Sequence, residues 1–105
     1  MAWEPFDAIW DRIVALEGQT FWTKTGKPFT SETEGRESSA LWVTRDGRKI
    51  NQRLSKSNFR QVYEMMQESP ISGPGEINKR ARRRGESECR GPAFVWAILY
   101  DKRVV

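Results

Sequence analysis

The sequence predicts an α+β fold: an N-terminal helix, a three- to four-stranded antiparallel sheet, then two or three C-terminal helices packed on it. Three observations predict it. Phe6, Ile9, Trp10, Ile13 and Leu16 recur with helical spacing. From Thr20 to Asn51 the chain turns to β-branched and aromatic residues, punctuated by Gly26-Lys27-Pro28 and Asp46-Gly47. Helical spacing then returns at Phe59, Val62, Tyr63 and Met66.

Each element has its own signals. The first helix is expected over Phe6–Glu17, with Pro5 in its first turn, Asp7 and Asp11 near the positive end of its dipole, and Gly18 as its stop. Thr20–Thr25 and Phe29–Glu34 read as two strands of a hairpin, and a polar break runs from Gly35 through Ser39. Leu41–Thr44 is a third strand. Asp46-Gly47 is a tight-turn dipeptide leading to a short fourth strand, Arg48–Asn51. Ser55 or Ser57 can cap a second helix, Asn58–Glu68, which Pro70 ends. After the turn at Gly73-Pro74-Gly75, Glu76–Arg84 can form a third helix, and Gly85–Gly91 is loop-like. Pro92 opens a last helix through Asp101, with Phe94, Val95, Ile98 and Leu99 inward. A buried strand is the alternative there, because a short apolar run has no decisive period.

The 105 residues amount to one small basic domain, 1–105, with one modest core. Twelve aromatic rings supply that core economically. Cys89 is the single cysteine, so no intramolecular disulfide can form, as in a reducing compartment. The N-terminus lacks a signal-peptide pattern, and the longest apolar run, Ala93–Tyr100, has eight residues. A cytoplasmic protein without membrane partners is expected.

The chain has no histidine, which excludes Ser-His-Asp and Cys-His chemistry and histidine-based zinc sites. No Asp/Glu cluster with metal-loop spacing stands out. No metal or cofactor is expected.

Charge is unevenly spread. Residues 1–44 carry −3 and residues 45–105 carry +7, and twelve of the eighteen cations are arginine. Such asymmetry suits an anionic partner. Lys79-Arg80-Ala81-Arg82-Arg83-Arg84, with Arg90 nearby, is the sharpest feature. Phosphates would relieve the self-repulsion of this run and release counterions, and arginine forks match phosphate and guanine edges. On a helix, Arg80, Arg83 and Arg84 would align, suiting a groove flanked by phosphates. The plainer alternative is a solvated basic loop. A second set, Arg45, Arg48, Lys49 and Arg53 with Lys56, follows the Asp46-Gly47 turn.

Trp22 and Trp42 lie in predicted strands. Exposed aromatics there would stack bases, but in so small a chain they are expected in the core, as are Trp3, Trp10 and Trp96. Gly73-Pro74-Gly75 before a helix has phosphate-loop geometry without phosphate-loop spacing and reads as a structural turn. A histidine-free nuclease would have to draw on Glu76, Glu86, Glu88, Lys79, Arg90 and Tyr100. Their spacing does not require one. Arg90 beside Cys89 would lower its pKa, but with neither a base nor a resolving partner the cysteine reads as incidental.

Three blocks carry a resemblance. Gly18-Gln19-Thr20-Phe21-x-Thr23-x-Thr25-Gly26-Lys27-Pro28-Phe29-Thr30, Gly73-Pro74-Gly75-Glu76-Ile77-Asn78 and Arg90-Gly91-Pro92-Ala93-Phe94-Val95-Trp96-Ala97-Ile98-Leu99 resemble a group of small bacterial proteins with no established function. The resemblance implies a bacterial, mobile-element origin and no mechanism.

The functional expectation is a non-catalytic nucleic-acid-binding domain, for duplex DNA before RNA. Lys79, Arg80, Arg82, Arg83, Arg84 and Arg90 would give the main phosphate contacts, and Arg45, Arg48, Lys49 and Arg53 the second set. An interaction module of a phage or mobile element, engaging a host protein such as an acidic one, is the alternative. A small nuclease is third. Oligomeric state has no sequence signal.

Overall fold

The computed structural model describes residues 3–33 and 39–105, except for the side chains of 51 and 52. Its elements are α1 (Phe6–Ala15), β1 (Thr20–Trp22), β2 (Pro28–Thr33), β3 (Ala40–Arg45), β4 (Arg48–Ser55), α2 (Lys56–Glu68), α3 (Pro74–Arg83) and α4 (Pro92–Leu99). The predicted α+β order holds. The polar break lies outside the described residues apart from Ser39.

The sheet is an antiparallel meander in the order β1-β2-β3-β4. At the β3–β4 turn, Asp46 and Gly47 both take positive φ, 55° and 73°. This is the hairpin geometry whose twist matches its strands, and it is cheap for Asp and Gly. β4 is longer than predicted because it carries an irregularity. Val43 faces Ile50, yet Trp42 faces Arg53. The two extra residues shift the register so that Leu54, which is buried, faces Leu41.

One face of the sheet carries the core. Phe21, Phe29, Ser31, Leu41, Val43 and Leu54 are buried there beneath the helices. Phe29 meets Phe94 of α4 at 5.0 Å between ring centroids. α1 contributes Ile9, Trp10 and Ile13, and α2 contributes Phe59, Val62, Tyr63, Met65 and Met66. Ser31 is the exception among these residues. Its hydroxyl is fully buried and finds no hydrogen-bond partner among the described residues.

α2 starts two residues before the predicted position because Ser55, not Ser57, is the cap; its hydroxyl accepts from the Asn58 amide at 3.3 Å. Segment 93–100 resolves as helix. Gly91 turns left-handed at φ 56°, Pro92 occupies the first turn, and Phe94, Val95, Ala97, Ile98 and Leu99 are all buried. Burial on several sides of α4 is why no clear period marks it in the sequence.

The three sequence blocks form the β1–β2 hairpin, the start of α3, and α4. They meet in space: the Lys24 ammonium donates to the Ser72 carbonyl at 2.9 Å, and a Cβ on Gly73 would lie 2.8 Å from that ammonium. Trp96 Nε1 donates to the Ile71 carbonyl, and the Tyr100 hydroxyl accepts from the Ile71 amide.

The tryptophans correct the sequence reading. Trp10 is buried, as expected, and Trp96 is half-buried against the core. Trp22 is 57% exposed, Trp3 is also exposed, and Trp42 is half-buried on the sheet's outer face. The physical reason is strand alternation. Phe21 and Phe29 turn inward, so Trp22 must turn outward; Leu41 and Val43 do the same to Trp42.

Candidate functional site

The arginine run is helical in α3, but its cations are largely committed. Arg80 has only 16% of its side chain exposed. Its guanidinium donates to the Ser69 and Pro70 carbonyls at 3.0 and 2.6 Å, where α2 ends, and to Glu76 at 3.1 Å. It therefore caps α2 rather than facing a partner. Arg82 pairs with Glu88 at 2.8 Å. Arg84 pairs with Glu86 at 2.9 Å and Glu68 at 3.3 Å. The predicted alignment of Arg80, Arg83 and Arg84 as one phosphate-facing edge is not what forms.

Lys79 and Arg83 remain outward, with no ion pair among the described residues. They share a cleft of about 390 Å³ with Lys24 and the Ser72–Glu76 turn. The amide of Ser72 is already held there by Glu76 at 3.0 Å, a contact that holds the Glu76 carboxyl below its ordinary value.

The second cation set divides as well. Arg45 and Arg48 flank the β3–β4 turn, Arg45 leaning on Asp46 at 3.7 Å. Lys49 lies over the Trp42 ring at 5.2 Å and 3.7 Å from Glu32. Arg53 stands toward the far end of β4 opposite Trp42, while Arg48 faces Arg45, so the two arginines lie roughly 10 Å apart along the sheet.

Arg53 and Arg90 are brought together. They line one cleft of about 270 Å³ with Ser55, Asn58 and Glu88. Arg53 and Ser55 also line an adjoining cleft of about 410 Å³ with Ser39, Lys56, Ser57 and Arg60. The two clefts share Arg53 and Ser55 and together make a depression where β4 hands over to α2, bordered by Glu88 and Arg90 of the Gly85–Gly91 loop. Four cations border it. Asp7 sits 3.5 Å from Lys56 and 3.8 Å from Arg60, and Glu88 is engaged by Arg82, so among the described residues the cations of the border outnumber its carboxylates. Three serine hydroxyls and an Asn amide complete a lining suited to phosphate oxygens.

Sequence reasoning missed Lys24 and Arg60 as site residues, and also Ser39 and Asn58. Each stands alone in the sequence, without neighbouring charge, and only the fold gathers them.

The nuclease candidates do not gather. Glu76 holds Ser72 and Arg80, Glu86 accepts from Gln61 and Arg84, and Glu88 holds Arg82, while the Tyr100 hydroxyl serves Ile71. Cys89 is buried and its thiol is pushed up to about 12 by desolvation, against the expected lowering by Arg90. Among the described residues no group of three or more His, Cys, Asp or Glu could hold a metal ion, and no helix is long and apolar enough to cross a membrane.

Compared with known proteins, the chain matches no family model, no curated protein and no solved structure. Function is therefore argued from the chemistry of these surfaces.

Proposed function

We propose that the protein binds nucleic acid without altering it chemically, gripping backbone phosphates in the depression bordered by Arg53, Lys56, Arg60 and Arg90. One observation carries this reading. Arg53 and Arg90, far apart in the chain, border the same cleft beside Ser55 and Asn58. Cations that share a concave surface repel one another, and a bound polyanion relieves that repulsion while releasing its own counterions. The +7 charge of residues 45–105 supplies long-range attraction toward the same partner. α3 contributes less than the sequence suggests, since glutamates cross its arginines.

Titrating a labelled oligonucleotide at several salt concentrations tests the reading. Four phosphate contacts give a log–log salt slope of about −3 to −4. Arg53→Ala and Arg90→Ala each reduce its magnitude by about 1, whereas Arg84→Ala, which removes a glutamate-paired cation outside the depression, leaves it unchanged. Absence of binding to DNA and RNA at about 50 mM salt refutes the proposal.

A further inference from the structure

The outer face of the sheet leads away from this depression, and no described helix covers it. Its residues follow from the register. One row holds Glu32, Trp42 and Arg53, the next Thr20, Thr30, Thr44 and Lys49, and the last Trp22 and Pro28. Arg53 belongs both to the first row and to the phosphate cleft. Arg53 therefore links the cleft to the row that holds Trp42. Trp22 lies two strands across and four residues along from Trp42, about 16 Å away. Lys24 and Lys27 stand in the turn just beyond Trp22.

The composition of this face decides what fits it. Its described residues include no Leu, Ile, Val, Met or Phe, so it lacks the continuous apolar centre that a protein partner would bury. It instead offers two indole rings separated by threonine hydroxyls, with cations at both ends. Lys49 lies over the Trp42 ring, and its pair with Glu32 is exposed and weak, so the ammonium can swing to a phosphate. Bases present such π faces only when they are not stacked and paired in a duplex. Aromatic side chains on a sheet, flanked by backbone-neutralising cations, are the physical recipe for holding unpaired bases.

We propose that the outer sheet face binds single-stranded nucleic acid, with one base on Trp42, another on Trp22, and the backbone entering through the Arg53–Arg90 cleft. This inference rests on the phosphate-grip reading and names its substrate class. It replaces the duplex expected from the sequence.

The test uses the intact chain and labelled 12-nucleotide DNA and RNA single strands beside the matching DNA duplex, compared by anisotropy at one low salt concentration. Single strands are expected to bind at least about tenfold more tightly than duplex. Trp22→Ala, at an exposed position that leaves folding intact, is expected to weaken single-strand binding by about fivefold or more, leave duplex binding unchanged, and be rescued by Trp22→Phe. A larger loss with RNA than with DNA would mark RNA as the natural strand, and equal losses a sugar-independent site. Either supports the inference. Equal affinity for duplex and single strand, or an unaffected Trp22→Ala while Arg53→Ala and Arg90→Ala still weaken binding, overturns the stacking face and leaves the cleft reading standing. No binding of any strand overturns both.

Discussion

Replacing Arg80 with alanine separates a structural arginine from a binding one. The guanidinium makes two close bonds to backbone carbonyls at the end of α2, one to Glu76, and a longer one of 3.5 Å to the Met65 carbonyl. Hydrogen bonds to a charged group contribute about 1.5–3 kcal/mol each, and the positive charge also offsets the negative end of the helix. Some of the orphaned carbonyls regain water after truncation, so the net loss comes to about 3 kcal/mol. For a domain of this size that lowers Tm by about 12–20 °C. Urea denaturation followed by circular dichroism reads the change as a lower midpoint with an unchanged slope. Arg80→Lys recovers only part of the loss, because an ammonium cannot span the same carbonyls as a planar fork. Arg83→Ala, on the outward side of α3, stays within about 0.5 kcal/mol of the parent. The reasoning is refuted if Arg80→Ala is as stable as Arg83→Ala and instead abolishes oligonucleotide binding.

Other outcomes follow from buried and titrating groups. Ser31→Ala raises stability by about 1 kcal/mol, read from the urea midpoint, because it removes a buried hydroxyl that lacks a partner among the described residues; a destabilised variant would show that the hydroxyl is satisfied. Cys89 stays unreactive toward an aromatic disulfide reagent at pH 8 in the native state and reacts on unfolding, since burial pushes its thiol up to about 12. Rapid native labelling would contradict this. Stability is flat from about pH 5 to 8, because the chain has no histidine to titrate there. Below the ordinary carboxylate range it falls. Glu17 is held down by the Thr33 amide and hydroxyl, Glu76 by the Ser72 amide, and Asp101 by Arg103. Groups with lowered folded-state values stabilise above their ordinary values and lose that contribution as pH drops through the lowered ones. Glu17→Gln therefore shows a shallower decline in urea midpoint between pH 5 and 3 than the parent, and an identical decline would rule out this source.

The architecture is legible where a local pattern has a single solution. Five apolar residues at helical spacing place α1, and Asp46-Gly47 places a hairpin, because few other dipeptides accept two positive φ angles cheaply. Segment 93–100 is ambiguous because burial around α4 erases its period. The tryptophans were legible in principle. Phe21-Trp22 and Leu41-Trp42-Val43 are adjacent apolar residues in strands, and alternation puts one of each set outside. The expectation of a rich core overrode that rule. For the candidate interface, the positions of the cations could be read, but not their commitments. The i,i+4 pair Glu76–Arg80 is visible in sequence, but the contact of Arg84 with Glu68 exists only once α2 and α3 pack. The meeting of Arg53 and Arg90 needs the whole fold.

The residues after α4 have a consequence for how molecules of this protein behave in concentrated solution. Arg103 is anchored by Asp101, lies 4.9 Å from the Phe21 ring, and donates to the Thr20 carbonyl at 2.8 Å. That carbonyl lies on the rim of β1, where a second molecule would otherwise add its own strand. The guanidinium already occupies that acceptor, so the Thr20 carbonyl is not open to the amide of a second molecule's strand.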